Sequence, residues 1–487
     1  MYRMEDNQIH LFDITLEDTF KIDPNNRWVK RAKTVPWKMA EEKYSHMFRK
    51  NGRPAKQIRM ALGSLLIKEY LQCSDEEVVQ NIMENPYLQY FIGLKKFATE
   101  KPFDASLMVW FRKRLSKKFM TEINEEMCKA SAAPKPEEIT PPEDDDDEPH
   151  GGTLIVDATC APADIAYPTD TGLLAEAIEK TDKMIDTMQE PLKGKKARPR
   201  TYRVKSRKLY TNFVKQRKPS AKTIRKVKRK QLGYLKRNIS AIERMRKMDG
   251  NLSGRQEKML LTIETLYSQQ QSMYRNKSTR IEERIVSLSQ PHIRPIVRGK
   301  AGRSVEFGPK INMSMVNGYV FVDEIRFDAY YEGDFLENAI IDYYIRFGVL
   351  PSKILADKAF TSRDNRALCK SLRIALMGKP LGRPPKGTVP GVDKSDTAGR
   401  NEIEGKFGTL KTRYGWNRIK AHLPDTSITA INIAAFAFNL DKRARALLRF
   451  FQSALADRHA NMFFSNVPHQ AHHLEILFYS AFTVYLS

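Results

Sequence analysis

The sequence has few cysteines and no long hydrophobic run. Four cysteines occur in 487 residues, far apart and without a CxxC pair, which argues against both a zinc site and a disulfide framework. No apolar stretch approaches the length needed to cross a bilayer. The first residues also lack the basic-then-apolar layout of a secretory signal. We therefore expect a reduced, cytoplasmic protein that does not enter a membrane.

Acidic residues are too few to balance the basic ones. The chain carries 83 lysines and arginines against 58 aspartates and glutamates, which leaves a net charge of +25. An excess of this size is typical of proteins that bind a polyanion, most often nucleic acid, although a merely basic soluble protein would show the same total. Hydrophobic residues reach 41%, and the length exceeds one ordinary core, so several domains are expected.

Residues 1–130 predict a helical domain. Apolar residues recur at helical spacing over residues 56–71, and Ser74 followed by Glu77 forms a capping box that begins the next helix. Several short helices with tight connections are typical of a helix-turn-helix DNA-binding domain, and a plain dimerisation domain explains the pattern equally well. Residues 131–150, rich in proline and in consecutive acids, then predict a disordered acidic linker.

Residues 151–445 predict a mixed α/β sheet flanked by helices. One apolar run ends in Asp157 and a second ends in Asp357, so each is expected to be a strand that delivers a carboxylate at its end. Short runs separated by glycine or asparagine over residues 293–327 predict an antiparallel meander. Residues 446–487 are a tail of unknown role.

A strongly basic helical insertion interrupts this domain at about residues 180–290. Apolar residues at helical spacing predict long helices that pack as a hairpin or small bundle. Tyrosines among the cations suit contact with phosphates and occasional base stacking, whereas a solvated insertion without a ligand is the alternative. The basic residues that we predict to contact DNA here are Lys195, Lys196, Arg198, Arg200, Arg225, Lys226, Lys228 and Arg229.

A third carboxylate lies on a predicted helix that contains Arg400. At about 100° per residue, Arg400, Glu404 and Lys411 fall within roughly 40° of one another, so one face carries two cations around a single carboxylate. Glu402 lies nearly opposite. A solvated charged face would look the same. The pattern gains meaning if Glu404 meets the two strand-end aspartates, because three carboxylates repel one another unless a cation lies between them.

Such a carboxylate cluster suits Mg²⁺ or Mn²⁺, which prefer hard oxygen ligands and leave room for water and phosphate. Two such ions about 4 Å apart can activate a water or a 3′-hydroxyl and stabilise the leaving oxygen of an in-line phosphoryl transfer. Each carboxylate alone is weak evidence. Together, in a strongly basic chain, they indicate metal-dependent chemistry on nucleic acid.

Three stretches of the chain match the pattern of a known family. They are Val156-Asp157-Ala158-Thr159 with Tyr167-Pro168-Thr169-Asp170, then Ala356-Asp357-Lys358-Ala359-Phe360, then residues 400–411. Over roughly residues 45–445 the sequence resembles bacterial insertion-sequence transposases of the DDE class. The third stretch contains the family's R-(3)-E-(6)-K signature as Arg400, Glu404 and Lys411. The family usually has a tyrosine three positions before the arginine, where this chain has Thr397.

The resemblance implies a ribonuclease H-like mixed sheet, with Asp157, Asp357 and Glu404 holding Mg²⁺ or Mn²⁺ as two ions. It implies that Arg400 and Lys411 contact DNA near the cleaved phosphate. The expected activity is cleavage of double-stranded DNA at the terminal inverted repeats of the element, followed by joining of the 3′-hydroxyl ends to target DNA.

The resemblance also implies a homodimer or larger assembly that holds two DNA ends, with the helical amino-terminal domain recognising the ends or pairing the subunits. Two other interpretations stay open. One is a catalytically inactive DNA-binding protein derived from such a transposase. The other is a structural RNA-binding protein, which rests on the basic middle segment alone.

Overall fold

The amino-terminal part of the chain is helical, as its apolar spacing predicts. The computed structural model describes residues 1–2, 16–48, 54–141, 148–192, 197–248, 250–300, 303–378 and 394–464. The predicted capping box is present, since Glu77 N donates to Ser74 Oγ at 3.2 Å and Ser74 N donates to Glu77 Oε2 at 2.7 Å. The helices are α1 (Leu16–Phe20), α2 (Arg27–Thr34), α3 (Trp37–Ser45), α4 (Ile58–Leu71), α5 (Asp75–Glu84), α6 (Pro86–Phe91), α7 (Leu107–Arg114) and α8 (Lys117–Ala132).

The segment predicted to be a disordered acidic linker is ordered at both ends. A short helical turn covers Pro136–Glu138, and strand β1 (Ile139–Thr140) pairs antiparallel with strand β2 (His150–Gly151). The second end is tied down because Gly151 O accepts a hydrogen bond from the Tyr343 hydroxyl at 2.7 Å. Residues 142–147, which hold most of the acids, lie outside the described residues.

A mixed sheet and two groups of helices make up the rest of the chain. In chain order the elements are β3 (Thr153–Cys160), α9 (Asp170–Gln189), α10 (Arg203–Val214), α11 (Ala221–Arg246), α12 (Gly254–Arg275), β4 (Pro295–Lys300), β5 (Arg303–Phe307), β6 (Lys310–Val316), β7 (Tyr319–Arg326), α13 (Leu336–Phe347), β8 (Lys353–Ala356), α14 (Arg363–Ser371), β9 (Ala375–Met377), α15 (Lys394–Arg413) and α16 (Pro424–Phe464). The architecture is therefore mixed α/β, in agreement with the prediction at that level.

The main sheet has the strand order β7-β6-β3-β8-β9. Strand β3 pairs antiparallel with β6 and parallel with β8, and β8 pairs parallel with β9. The predicted meander is only partly present, because β4 and β5 form a separate two-stranded hairpin and only β6 and β7 join the sheet. Pro309, which has no N–H group to donate, separates the hairpin from β6.

The helical insertion has an apolar core of its own. Helix α9 packs against α10, α11 and α12, and the side chains at their interfaces include the fully buried Leu174, Leu235, Ile242 and Ile263. The spaced apolar positions therefore form a small bundle, as predicted. The bundle also includes α9, which precedes the basic run.

The amino-terminal helices and the sheet share one continuous core. That core joins Leu62 and Phe91 of the helical part to Phe321 of the sheet and Phe436 of α16. Helix α16 packs against α2, α4, α7 and α8 as well as β7. Buried polar contacts cross the same interface, because Asn439 Nδ2 donates to Asn124 Oδ1 at 2.8 Å. The division at residues 130 and 151 remains a prediction about sequence units, since packing does not separate them.

Helix α16 runs well into the predicted tail. It continues past residue 446 to Phe464. The remainder of the tail, residues 465–487, lies outside the described residues.

Candidate active site

Two aspartates lie side by side on neighbouring parallel strands, Asp157 within β3 (Thr153–Cys160) and Asp357 directly after β8 (Lys353–Ala356). Val156 of β3 is paired with Ala356 of β8, and Asp157 and Asp357 are the next residues on the two strands. Because side chains alternate along a strand, both carboxylates belong to the sheet face that also carries Ile155 and its partner. The sequence predicts this neighbouring placement, but its prediction that both aspartates end their strands is wrong for Asp157, because β3 continues to Cys160 and pairs Asp157 with Met313 of β6.

Helix α15 covers this part of the sheet and carries the third carboxylate. Its apolar residues Ile403, Phe407 and Leu410 are buried, and the helix packs against β3 and β8. A Cβ atom added at Gly399 would lie 2.6 Å from Leu355 Cδ1, so the lack of a side chain allows the helix to approach β8 closely. Glu404 is exposed on the same helix.

Arg400 connects α15 to the strand ends. Its Nη1 donates a hydrogen bond to Asp357 Oδ1 at 3.1 Å. Glu402, which helical geometry places on the opposite side from Glu404, pairs instead with Lys406 at 2.9 Å. The structure therefore separates the two glutamates as their spacing predicts.

The carboxylates lie close enough to interact electrostatically. The pKa of Asp157 is raised to about 6, chiefly by burial, and a hydrogen bond of 2.7 Å from Ala158 N partly offsets the effect of burial. The negative charges of Asp357, Glu332 and Glu404 also contribute to the raised value. Asp157 thus has acidic neighbours whose repulsion a bound cation would relieve.

Glu332 is an acidic neighbour that the sequence pattern did not reveal. It begins the short helical turn Glu332–Phe335 between β7 and α13, and Lys310 Nζ lies 2.8 Å from its Oε1. No periodic or motif signal marks a glutamate in a turn. Only the folding of that turn towards β3 brings its charge near Asp157.

The predicted metal ligands are neighbours in this arrangement but do not form a closed cage. Within the described ranges, no group of three or more histidine, cysteine, aspartate or glutamate side chains is close enough to hold a metal ion. Asp357 is instead paired with Arg400. The donor atoms are nevertheless all carboxylate oxygens, which suit a hard dication.

The basic residues predicted to contact DNA have different environments. The prediction that Lys228 contacts DNA is wrong. Lys228 is 8% exposed, and its Nζ lies 2.7 Å from Asp170 Oδ2. It therefore stabilises the bundle and cannot reach a phosphate. Lys226 and Arg229 on the same helix are exposed.

Three more of the residues that were predicted to contact DNA interact with neighbouring residues of the protein. Arg198 pairs with Asp186, Arg200 lies 5.5 Å from the Tyr202 ring centre, and Arg225 donates to Tyr274 O at 3.1 Å. Lys195 and Lys196 lie outside the described residues. Lys411, in the last turn of α15, is half-buried.

Comparison with known families assigns the chain to a class. The profile of a family described as a transposase domain (DUF772) matches residues 17–114. The profile of a second family, described as a transposase DDE domain, matches residues 354–441. The second match contains Asp357 and Glu404, whereas Asp157 lies before it. The protein is a transposase.

A curated relative supports the same assignment. An uncharacterized protein of Rhizobium meliloti, ORF8 in the nfe locus, is 35% identical over 161 residues, which make up 32% of this chain and 72% of that protein. The chain belongs to the DDE-type transposases of insertion sequences, and the resemblance predicted from its motifs is confirmed. No solved structure matches the chain. None of the described helices is long and apolar enough to cross a membrane.

Proposed function

We propose that this transposase cleaves double-stranded DNA at the terminal inverted repeats of its insertion sequence and joins the 3′-hydroxyl ends to target DNA. The observation that carries the proposal is the neighbouring position of Asp157 in β3 and Asp357 directly after β8, beneath the helix that bears Glu404. We infer that the mixed sheet is a ribonuclease H-like core, because it places the two aspartates on its central parallel pair.

The three carboxylates are the proposed ligands of Mg²⁺ or Mn²⁺. Burial and, to a smaller extent, the charges of the neighbouring carboxylates raise the pKa of Asp157, and a bound dication relieves repulsion between such carboxylates. Two bound ions would supply activation of the attacking water or 3′-hydroxyl and stabilisation of the leaving oxygen. The carboxylates would hold these ions, and the turn with Glu332 would add negative charge beside them.

Arg400 has two competing anionic partners in this proposal. Its guanidinium now pairs with Asp357, so it competes with a cation for that carboxylate. The phosphate of the DNA strand is the anion that would replace it, because arginine binds phosphate well. Lys411 lies about 16 Å farther along the helix axis, so the two cations would contact different phosphates.

The partners we propose are duplex DNA and a second copy of the chain. The matched transposase domain at residues 17–114 would recognise the element ends or pair the subunits. Two DNA ends are joined to one target, so a homodimer or larger assembly is expected.

A catalytically inactive DNA-binding protein is the second candidate. It is favoured by one observation, the pairing of Asp357 with Arg400 in an arrangement whose described residues contain no compact metal cluster. It predicts salt-sensitive DNA binding without cleavage in Mg²⁺ or Mn²⁺.

The test is nicking of a duplex that carries the element end, with and without Mg²⁺ or Mn²⁺. We expect Asp157→Asn, Asp357→Asn and Glu404→Gln each to reduce cleavage by more than about 100-fold, since even outer-shell partners of metal ligands cost 10–100-fold. DNA binding should persist in all three variants.

The matched control is Glu402→Gln. It removes the same charge from the same helix, but on the side that pairs with Lys406, so cleavage should be retained. Cleavage that survives all three triad substitutions would rule out the proposed active site. Wild-type protein that binds the duplex but never cleaves it would establish the second candidate.

A further inference from the structure

Helix α11 has an exposed side that is rich in lysine and arginine. Its 26 residues contain ten basic residues and a single acid, Glu243. The buried side, with Gln231, Leu235 and Ile242, faces the bundle core. The opposite side is exposed along most of the helix.

Over residues 226–237 the exposed cations form two rows with a gap between them. At 100° per residue, the first row spans about 20° and the second about 40°, and Gly233 lies between the two rows. The first row consists of Arg229 and Lys236, and the second of Lys226, Lys230 and Arg237. We call these residues, with Gly233, the α11 ridge.

The ridge cations differ from those that hold the bundle together. Lys228 pairs with Asp170, and Arg246 pairs with Glu257. In contrast, neither Arg229 nor any lysine of the ridge has an acidic partner in the part of the chain that the structure describes. Their charges are exposed to solvent and available to an external polyanion.

A stacked pair of tyrosines supports one end of the second row. The rings of Tyr202 and Tyr234 are 5.4 Å apart at an interplanar angle of 21°. The Arg237 guanidinium lies 4.7 Å from the centre of the Tyr202 ring, and Lys205 Nζ lies 5.9 Å from it. Cation–π contact of this kind holds a guanidinium in place without neutralising it.

Nothing in the described part of the chain explains why residue 233 is a glycine. It lies in the interior of α11, where glycine destabilises a helix relative to alanine. A Cβ atom added there would meet nothing within 4 Å, and its backbone has no positive φ angle. A missing side chain at the centre of an exposed helix face permits close approach by an external molecule.

We propose that α11 lies along the major groove of double-stranded DNA, with Gly233 at the closest approach and one row of cations towards each phosphate strand. This groove admits an α-helix. From Lys222 to Arg244 the basic side spans about 33 Å, close to one turn of B-DNA. The choice of DNA as the polyanion rests on the proposed function. The contact itself is separate from the acidic site.

The first test compares two charge-matched double variants of the full-length protein. One is Lys226→Gln with Lys230→Gln, and the control is Arg255→Gln with Lys258→Gln, which removes two exposed cations of α12. Binding to a 40-base-pair duplex of arbitrary sequence is measured over a range of salt concentrations, in EDTA. The ridge variant should lower the slope of log K against log salt by about 1.8, since each phosphate contact contributes about 0.9. The control should leave the slope unchanged.

The second test is Gly233→Ala. It should raise the thermal midpoint of the free protein and weaken DNA binding, because the new methyl group stabilises the helix but blocks the approach of the duplex. A glycine with only a local role would give the first effect alone. That result would overturn the proposed position of Gly233.

The outcomes separate this inference from the proposed function. Wild-type binding and cleavage, together with unchanged affinity and salt slope in the ridge variant, would overturn the α11 contact and leave the proposed function standing. Absence of any duplex binding by the wild type would overturn the proposed function itself. Stronger competition by RNA than by duplex DNA would also refute the α11 contact.

Discussion

The body and the insertion of this transposase have separate apolar cores and different buried charged groups. The body comprises the amino-terminal helices, the main sheet and α13 to α16, which share one apolar core. The insertion, α9 to α12, has a second core of its own. Each unit also contains a charged group surrounded by partners, a cation in the body and a carboxylate in the insertion.

Arg346 is the charged centre of the body. Its Nε donates to Glu125 Oε1 of α8 at 2.8 Å, and its Nη2 donates to Asp323 Oδ1 of β7 at 3.2 Å. A third bond, 3.3 Å from Nη1, reaches Ser314 Oγ of β6. One buried guanidinium thus joins the amino-terminal helices to the sheet.

Asp170 is the charged centre of the insertion. Its Oδ1 accepts hydrogen bonds from Gln270 Nε2 at 2.9 Å and Arg284 Nη2 at 2.6 Å. Its Oδ2 accepts one from Lys228 Nζ at 2.7 Å. All of these partners lie within or next to the inserted segment, so the insertion is stabilised by its own residues.

This difference predicts how the molecule unfolds. Contacts in the body join residues hundreds of positions apart, such as Arg31 with Asp441, so the helical part and the sheet should lose structure together. The insertion should unfold separately, because residues that share one contiguous core unfold as a cooperative unit.

The largest expected effect is that of Arg346→Met. It leaves Asp323 and Glu125 without their common partner, and removing one side of a buried ion pair costs about 3–5 kcal/mol. Hydrogen exchange should show faster exchange in α8 and β7 together. Arg346→Lys, which keeps the charge, should lose less. Faster exchange in α8 with β7 unchanged would show that the body is not one unit.

The next effect is that of Leu235→Ala in the insertion. Leu235 is fully buried, and truncation of a buried leucine costs about 2–5 kcal/mol. Exchange should quicken in α9, α11 and α12 but not in β3 or α16. The matched control is Leu261→Ala on α12, where the side chain is 63% exposed and the cost should be below about 0.5 kcal/mol. Faster exchange throughout the sheet in Leu235→Ala would contradict independent opening.

A smaller effect is expected for Asp170→Asn. The substitution keeps the shape but removes the charge that Lys228 and Arg284 share. A hydrogen bond to a charged group contributes about 1.5–3 kcal/mol. Urea unfolding followed by exchange in α9 measures the loss. An unchanged midpoint would show that the three donors contribute nothing net.

Local patterns in the sequence were sufficient for much of the candidate site. Apolar runs ending in aspartate predicted β3, which contains Asp157, and β8, which Asp357 directly follows, and the parallel pairing of these strands places the two aspartates together. Helical spacing separated Glu404 from Glu402. These features depend on a few residues close together in the chain, so the periodicity of apolar residues in the sequence predicts them directly.

Other features depend on contacts between distant residues and were not predictable. Glu332 comes near Asp157 only because its turn folds towards β3. Lys228 looks like its exposed neighbours in the sequence, and only the position of Asp170 shows that it is buried. The common core of the amino-terminal helices and the sheet likewise depends on α16, which packs against helices some 300 to 400 residues earlier in the chain.

The smallest predicted effect is a response of the insertion to acid. Burial alone would raise the pKa of Asp170, but hydrogen bonds from Lys228 and Gln270 and the charges of Lys228 and Arg284 outweigh it and lower the pKa. A carboxyl group with a lowered pKa in the folded state stabilises the protein above its unfolded pKa, about 3.9. That contribution is lost as the pH falls through the folded value.

The response should therefore appear below about pH 4 and be concentrated in the insertion. The measurement is the difference in urea midpoint for α9 between wild type and Asp170→Asn, taken at pH 7 and again in acid. The difference should be largest at pH 7 and shrink as Asp170 is protonated, because both proteins then carry a neutral group at this position. A difference that stayed constant with pH would mean that the NH2 group of the substituted amide, rather than the loss of the negative charge, destabilises the insertion. The charge of Asp170 would then not be what stabilises the insertion.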